Sequence, residues 1–76
     1  MDSFDRITWQ PDVMGGKACI RGMRVTVGMV LAQIGSGQSF EAILMDYPYL
    51  EREDILQAVR YAAWLAEERD VVIISA

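Results

Sequence analysis

Apolar positions along this chain fall into three stretches of helical spacing, preceded by two short β-prone pieces and followed by a β-branched end. Ile7-Thr8-Trp9 and Ala18-Cys19-Ile20-Arg21 are separated by Pro11, Gly15 and Gly16, which predicts two extended segments of a small ribbon joined by an irregular turn. Thr26 can cap a first helix, in which Val27, Val30, Leu31 and Ile34 share a face until Gly35-Ser36-Gly37 stops it. Ser39 can cap a second, with Glu41 in its first turn, Phe40, Ile43, Leu44 and Tyr47 on one side, and Pro48 as its end. A third helix is expected from about Glu51 to Arg69, because Glu51, Glu53 and Asp54 crowd a helix start and only Gln57 and Arg60 interrupt the apolar run from Ile55 to Ala66. Val71-Val72-Ile73-Ile74 is β-branched throughout and reads as a terminal strand in need of a partner edge.

These elements make one mainly α domain over residues 1–76: a ribbon or arm (1–26), a three-helix unit (27–69) and a C-terminal strand or tail (70–76). On a helical wheel with Ile55 at the origin, Leu65, Ala58, Ala62, Ala66, Val59, Ala63 and Leu56 gather in one half, the expected core face. Trp64 falls opposite Ile55, with Tyr61 nearby, among Glu53, Gln57, Arg60 and Glu68. An aromatic pair on a polar side needs a cover, and the pattern leaves two open: the chain's own ribbon or terminal strand, or a second chain. Tyr61, Trp64, Leu65 and the Val71, Val72, Ile73, Ile74 segment are thus the candidate partner or dimer interface.

Size sharpens that expectation. A chain of 76 residues with one Cys and no His buries only about 60% of its unfolded surface. Without a disulfide or metal, its support is expected from another subunit, so an oligomer is anticipated. Cys19, between Ala18 and Ile20, suits a buried, reduced thiol. The first ten residues lack the basic start and apolar core of a secretion signal, and no apolar run reaches the roughly 18 residues of a membrane span, so a cytoplasmic protein is expected.

The net charge of −4 argues against a free-standing nucleic-acid binder, but the charge is unevenly placed. Residues 1–40 sum to +1 and the remainder to −5. From Val13 to Phe40 there is no acid, so Lys17, Arg21 and Arg24 form an unopposed basic cluster, either solvated or able to touch phosphate. Without His, the usual general base is missing and the single Cys has no activator, so no catalytic residue and no cofactor are assigned. The three acids before Ile55 are read as partners of the unpaired amides at a helix start. Gly15-Gly16-Lys17 lacks the spacing of a phosphate loop and leads into an extended segment; Gly15, Gly16 and Gly22 are read as turn residues with positive φ. Phe40 to Tyr47, the Tyr47-Pro48-Tyr49-Leu50 turn and the helix after it have the order of a helix-turn-helix, although Glu51, Arg52, Glu53 and Asp54 would set a net −2 beside a DNA backbone.

The run Met14-Gly15-Gly16-Lys17-Ala18-Cys19-Ile20-Arg21-Gly22-Met23-Arg24-Val25-Thr26-Val27 resembles the signature of domain-of-unknown-function family 433, an antitoxin-like bacterial family. Later pieces continue the likeness: Glu41-Ala42-Ile43-Leu44, Tyr47-Pro48-Tyr49-Leu50, Glu53-Asp54-Ile55 and Ala58-Val59-Arg60-Tyr61-Ala62-Ala63. Ala18, Met23 and Glu51 depart from its commoner Pro, Thr, and Thr or Ser. The resemblance implies a homeodomain-like three-helix domain, usually dimeric, that silences a PIN-like ribonuclease toxin from an adjacent gene and binds operator DNA to repress its own operon. No membrane and no small-molecule substrate are implied. The alternatives are a stand-alone helix-turn-helix DNA-binding regulator and an oligomerisation or adaptor module without nucleic-acid contact.

Overall fold

A computed structural model describes the backbone of residues 4–75 and the side chains of residues 4–67. Two strands, β1 (Ile7–Thr8) and β2 (Cys19–Ile20), pair antiparallel with Ile7 opposite Ile20 and Thr8 opposite Cys19. A tight turn at Met14–Gly16 lies between them, its backbone left-handed with φ of 50° at Met14, 68° at Gly15 and 81° at Gly16. Past β2 the chain reverses in two residues: the Met23 amide donates to the Ile20 carbonyl at 2.8 Å across Arg21 (φ 46°) and Gly22 (φ 72°). Two successive positive φ angles give the primed hairpin turn whose twist matches the flanking strands. Gly22 adopts this freely, whereas Arg21 is held in a region that costs a side-chain-bearing residue free energy.

Three helices follow, α1 (Val27–Gly35), α2 (Phe40–Asp46) and α3 (Arg52–Ser75). The expected caps are present. Thr26 Oγ1 accepts from the Met29 amide at 3.0 Å and Ser39 Oγ from the Ala42 amide at 3.1 Å, each satisfying a donor that the first turn leaves unpaired. Both α1 and α2 pack on α3. The core joins Ile7 and Ile20 of the ribbon and Val25 to Val27, Val30, Ile43, Leu50, Ile55 and Ala58. Cys19 is buried and its thiol donates to the Lys17 carbonyl at 3.3 Å.

Two expectations are corrected. The terminal segment Val71–Ile74 is not a strand: its backbone continues α3 through Ser75. A helix already under way gains one hydrogen bond per added residue, and β2 is flanked by β1 and by a bridge from Cys19 to Thr26, so it offers the tail no edge. The side chains of Val71, Val72, Ile73 and Ile74, offered as interface residues, lie outside the described residues. The core face of α3 is also rotated by roughly a quarter turn from the apolar half of the wheel. Asp54, Ile55, Gln57 and Ala58 are buried, while Val59, Ala63 and Ala66 are exposed.

Candidate functional site

The buried carboxylate of Asp54 is the hub that fastens three parts of the chain together. Its Oδ1 accepts from Arg6 Nη1 at 2.9 Å and Arg21 Nε at 3.0 Å; its Oδ2 accepts from Arg21 Nη2 at 2.8 Å and from the Glu51 amide at 2.8 Å. The last bond closes the start of α3, since Asp54 reaches back to the residue before the helix as the acid of a capping box does. Arg21 also donates from Nη2 to the Tyr49 carbonyl at 2.9 Å, and Arg6 Nη1 donates to Glu51 Oε1 at 2.6 Å. One turn later, buried Gln57 accepts the Arg6 amide on Oε1 at 2.6 Å and donates to Asp5 at 2.9 Å.

Burial alone would push the Asp54 carboxyl up, but hydrogen bonds from Arg21, the Glu51 amide and Arg6 outweigh it and hold the group below the ordinary carboxylate range. Hydrogen bonds to the Glu51 and Asp54 carboxylates raise the Arg6 guanidinium, and those to Asp54 raise that of Arg21. The left-handed backbone at Arg21 has its compensation here, because the turn carries the side chain to a carboxylate with two oxygens to offer.

Among the candidate cations, then, Arg21 is engaged inside its own chain. The other two are not engaged in this way: Arg24 is exposed and its Nη1 lies 3.9 Å from the Met14 sulfur, and Lys17 lines an open groove beside the ribbon. Arg21 is thus committed to Asp54, whereas among the described residues Lys17 and Arg24 meet no carboxylate of their own chain. Gly15, Gly16 and Gly22 all have the positive φ expected of turn residues.

That groove, of about 680 Å³, runs between the ribbon, α1 and α3 and is lined by Trp9, Ala18, Val27, Met29, Tyr61 and Leu65 among others. The cover of Tyr61 comes from the chain's own N-terminal segment. Phe4 meets it edge-on at 5.2 Å between centroids, and Trp9 does so at 5.7 Å. Trp64 stacks on Tyr61 at 6.1 Å and touches Phe4 at 5.8 Å, yet stays 42% exposed, and Trp9 is 53% exposed. Asp54, Gln57 and Arg6 were not singled out as a set by sequence reasoning. Their signal was the acid-rich helix start facing an acid-free basic segment, two groups that a compact chain tends to bring together.

Residues 7–62 match the family model described as "Protein of unknown function (DUF433)". The "Uncharacterized protein y4eO" of Sinorhizobium fredii (strain NBRC 101917 / NGR234) is 41% identical over 56 residues, 74% of this chain and 25% of that protein. The chain thus spans about a quarter of the length of the curated relative it matches. A crystal structure of a DUF433 member protein from Anabaena variabilis ATCC 29413 superposes with a TM-score of 0.77 at 33% identity, covering 92% of this chain and 69% of that one. A family match across most of the sequence, together with a solved member sharing its helices and hairpin, places this chain in the DUF433 family.

Proposed function

We propose that this chain is a non-enzymatic, antitoxin-like protein of the cytoplasm that works as a homodimer by docking on a second protein, a PIN-like ribonuclease encoded beside it, and holding that nuclease inactive. The observation that carries this reading is the groove between ribbon, α1 and α3. It is apolar, it is open, and Trp9, Tyr61 and Leu65 line it, with half-exposed Trp64 next to Leu65. Tryptophan and tyrosine are favoured interface anchors, because they bury much area for little lost rotamer freedom. The charge agrees: a nuclease needs a basic surface for its substrate, and a chain of net −4 complements one.

The test is co-expression with the product of the adjacent gene. Stable association, RNA cleavage suppressed in the complex, and at least about tenfold weaker association for Trp64→Ala with an unchanged fold are expected. A neighbour that is not a nuclease, or one that fails to associate, refutes the reading.

Operator binding by a homeodomain-like dimer is the second reading, favoured by the order of α2, a turn at Tyr47–Glu51, and α3. Against it, Glu51 and Glu53 are exposed at the entrance of α3, and Arg21 is already paired. Salt-dependent binding to upstream duplex DNA that drops in Arg24→Gln would support it, and binding indifferent to salt would exclude it.

A further inference from the structure

We infer that the cleft formed by Gly22, Met23, Arg24, Val25 and Tyr49 is a docking site for an acidic peptide segment of a partner protein, one presenting a single Asp or Glu carboxylate beside an aliphatic side chain. This surface shares no lining residue with the groove between ribbon, α1 and α3.

The first observation is electrostatic. Among the described residues, Arg6, Arg21, Arg52 and Arg60 each meet a carboxylate of their own chain, and Arg24 does not. Its guanidinium lies beside only a thioether, a weak acceptor that leaves a planar fork of donors open to a bidentate carboxylate. The second is shape. The cleft is open, with a volume of about 410 Å³, and its accessible apolar surface comes from half-buried Met23 and the ring of Tyr49, which is 53% exposed, Val25 being buried.

Preorganisation is the third. The Tyr49 carbonyl is held by Arg21 at 2.9 Å and its ring packs edge-on against Tyr47 at 6.1 Å. Arg24 lies two residues past Gly22 of the turn that Asp54 anchors through Arg21. A partner therefore meets a wall already in place and avoids much of the ordering cost of association.

Charge selects the class of partner. On either side of Tyr49 the chain exposes Asp46, Glu51 and Glu53. A nucleic-acid duplex, with one negative charge per roughly 1.7 Å of axis, would press many charges against these acids to satisfy one arginine. A peptide brings one carboxylate to Arg24 and an aliphatic neighbour to Met23 and the ring of Tyr49.

The experiment follows amide resonances of the full chain during titration with the peptide acetyl-Leu-Glu-Leu-amide. Separate arms use acetyl-Leu-Gln-Leu-amide, inorganic phosphate and a short DNA duplex. Expected are saturable shifts at Met23, Arg24, Val25 and Tyr49 with the acidic peptide. Affinity should fall about 5-fold, the upper end of what one exposed ion pair supplies, for the Gln peptide and for Arg24→Gln. Tyr49→Ala should weaken it too, with the rest of the spectrum preserved. Equal binding of the Gln peptide, no shift up to about 10 mM peptide, or stronger shifts of the same residues with phosphate or the duplex would each overturn the inference.

Discussion

Replacing Asp54 by Asn tests the hub with almost no change of shape. The carboxylate accepts four hydrogen bonds on two oxygens, three from guanidinium groups and one from the Glu51 amide. An Asn keeps one acceptor and points an NH2 at two of those donors, so at least two bonds are lost together with the charge. Removing one partner of a buried ion pair costs about 3–5 kcal/mol. Arg6 and Arg21 retain 27% and 37% side-chain exposure, so water can solvate what is released, and about 3 kcal/mol is the expected loss. A domain of 76 residues has roughly 4–11 kcal/mol in total, which makes this single group decisive. Urea unfolding followed by Trp9 and Trp64 fluorescence should show the midpoint falling by about 2–3 M at an unchanged slope of about 1 kcal/mol/M. Arg21→Gln should add to Asp54→Asn little more than the loss of its bond to the Tyr49 carbonyl, because the two substitutions share the Arg21–Asp54 contacts. An Asp54→Asn protein within about 0.5 kcal/mol of wild type would show that the hub is an incidental surface network and not the fastening argued above.

Acid should act through the same group. Because Asp54 is held below its ordinary value, its contribution is complete at neutral pH and persists down to the usual carboxylate range. It disappears as pH falls from about 4 through the depressed value; urea midpoints between neutral pH and about pH 2.5 should show that slope in wild type and a flatter one in Asp54→Asn. Gly22→Ala makes only an ordinary van der Waals contact, its added carbon 3.7 Å from the Gln10 side chain, so its cost is conformational, about 1 kcal/mol, and thermal melts should drop by about 4–8 °C. Tyr61→Ala removes the surface on which Phe4 and Trp9 rest; a loss of about 2–4 kcal/mol and a red-shifted Trp9 emission are expected, and an unshifted spectrum would mean that the N-terminal segment is held by Arg6 and Ile7 alone.

Local rules made much of this fold legible. Thr26 and Ser39 are caps, Gly15, Gly16 and Gly22 are turns, and the ribbon and three helices start close to where spacing and capping place them. What escaped was long-range. A helical wheel sorts residues by polarity, so it set Gln57 on the outer side and Val59 and Ala63 inward. The chain does the reverse, because Gln57 and Asp54 have hydrogen-bond partners 33 to 52 positions away that no local window contains. The same blindness left Arg21 looking free, since its pairing depends on a left-handed backbone that aims it at α3. For Val71–Ile74, β preference, worth about 1 kcal/mol at most, was weighed without the helix already running into it. The groove itself has no sequence signature, although Tyr61 and Leu65, two of the candidate interface residues, line it.

The bond from the Arg6 amide to Gln57 spans 51 positions, and this has a consequence for the order of events on the ribosome. Translation adds about 5–20 residues per second, so the opening segment is made several seconds before the helix that receives it. Through that interval Phe4, Ile7 and Trp9 lack the helix that covers them, which makes this segment vulnerable to clumping or cleavage until α3 has been made.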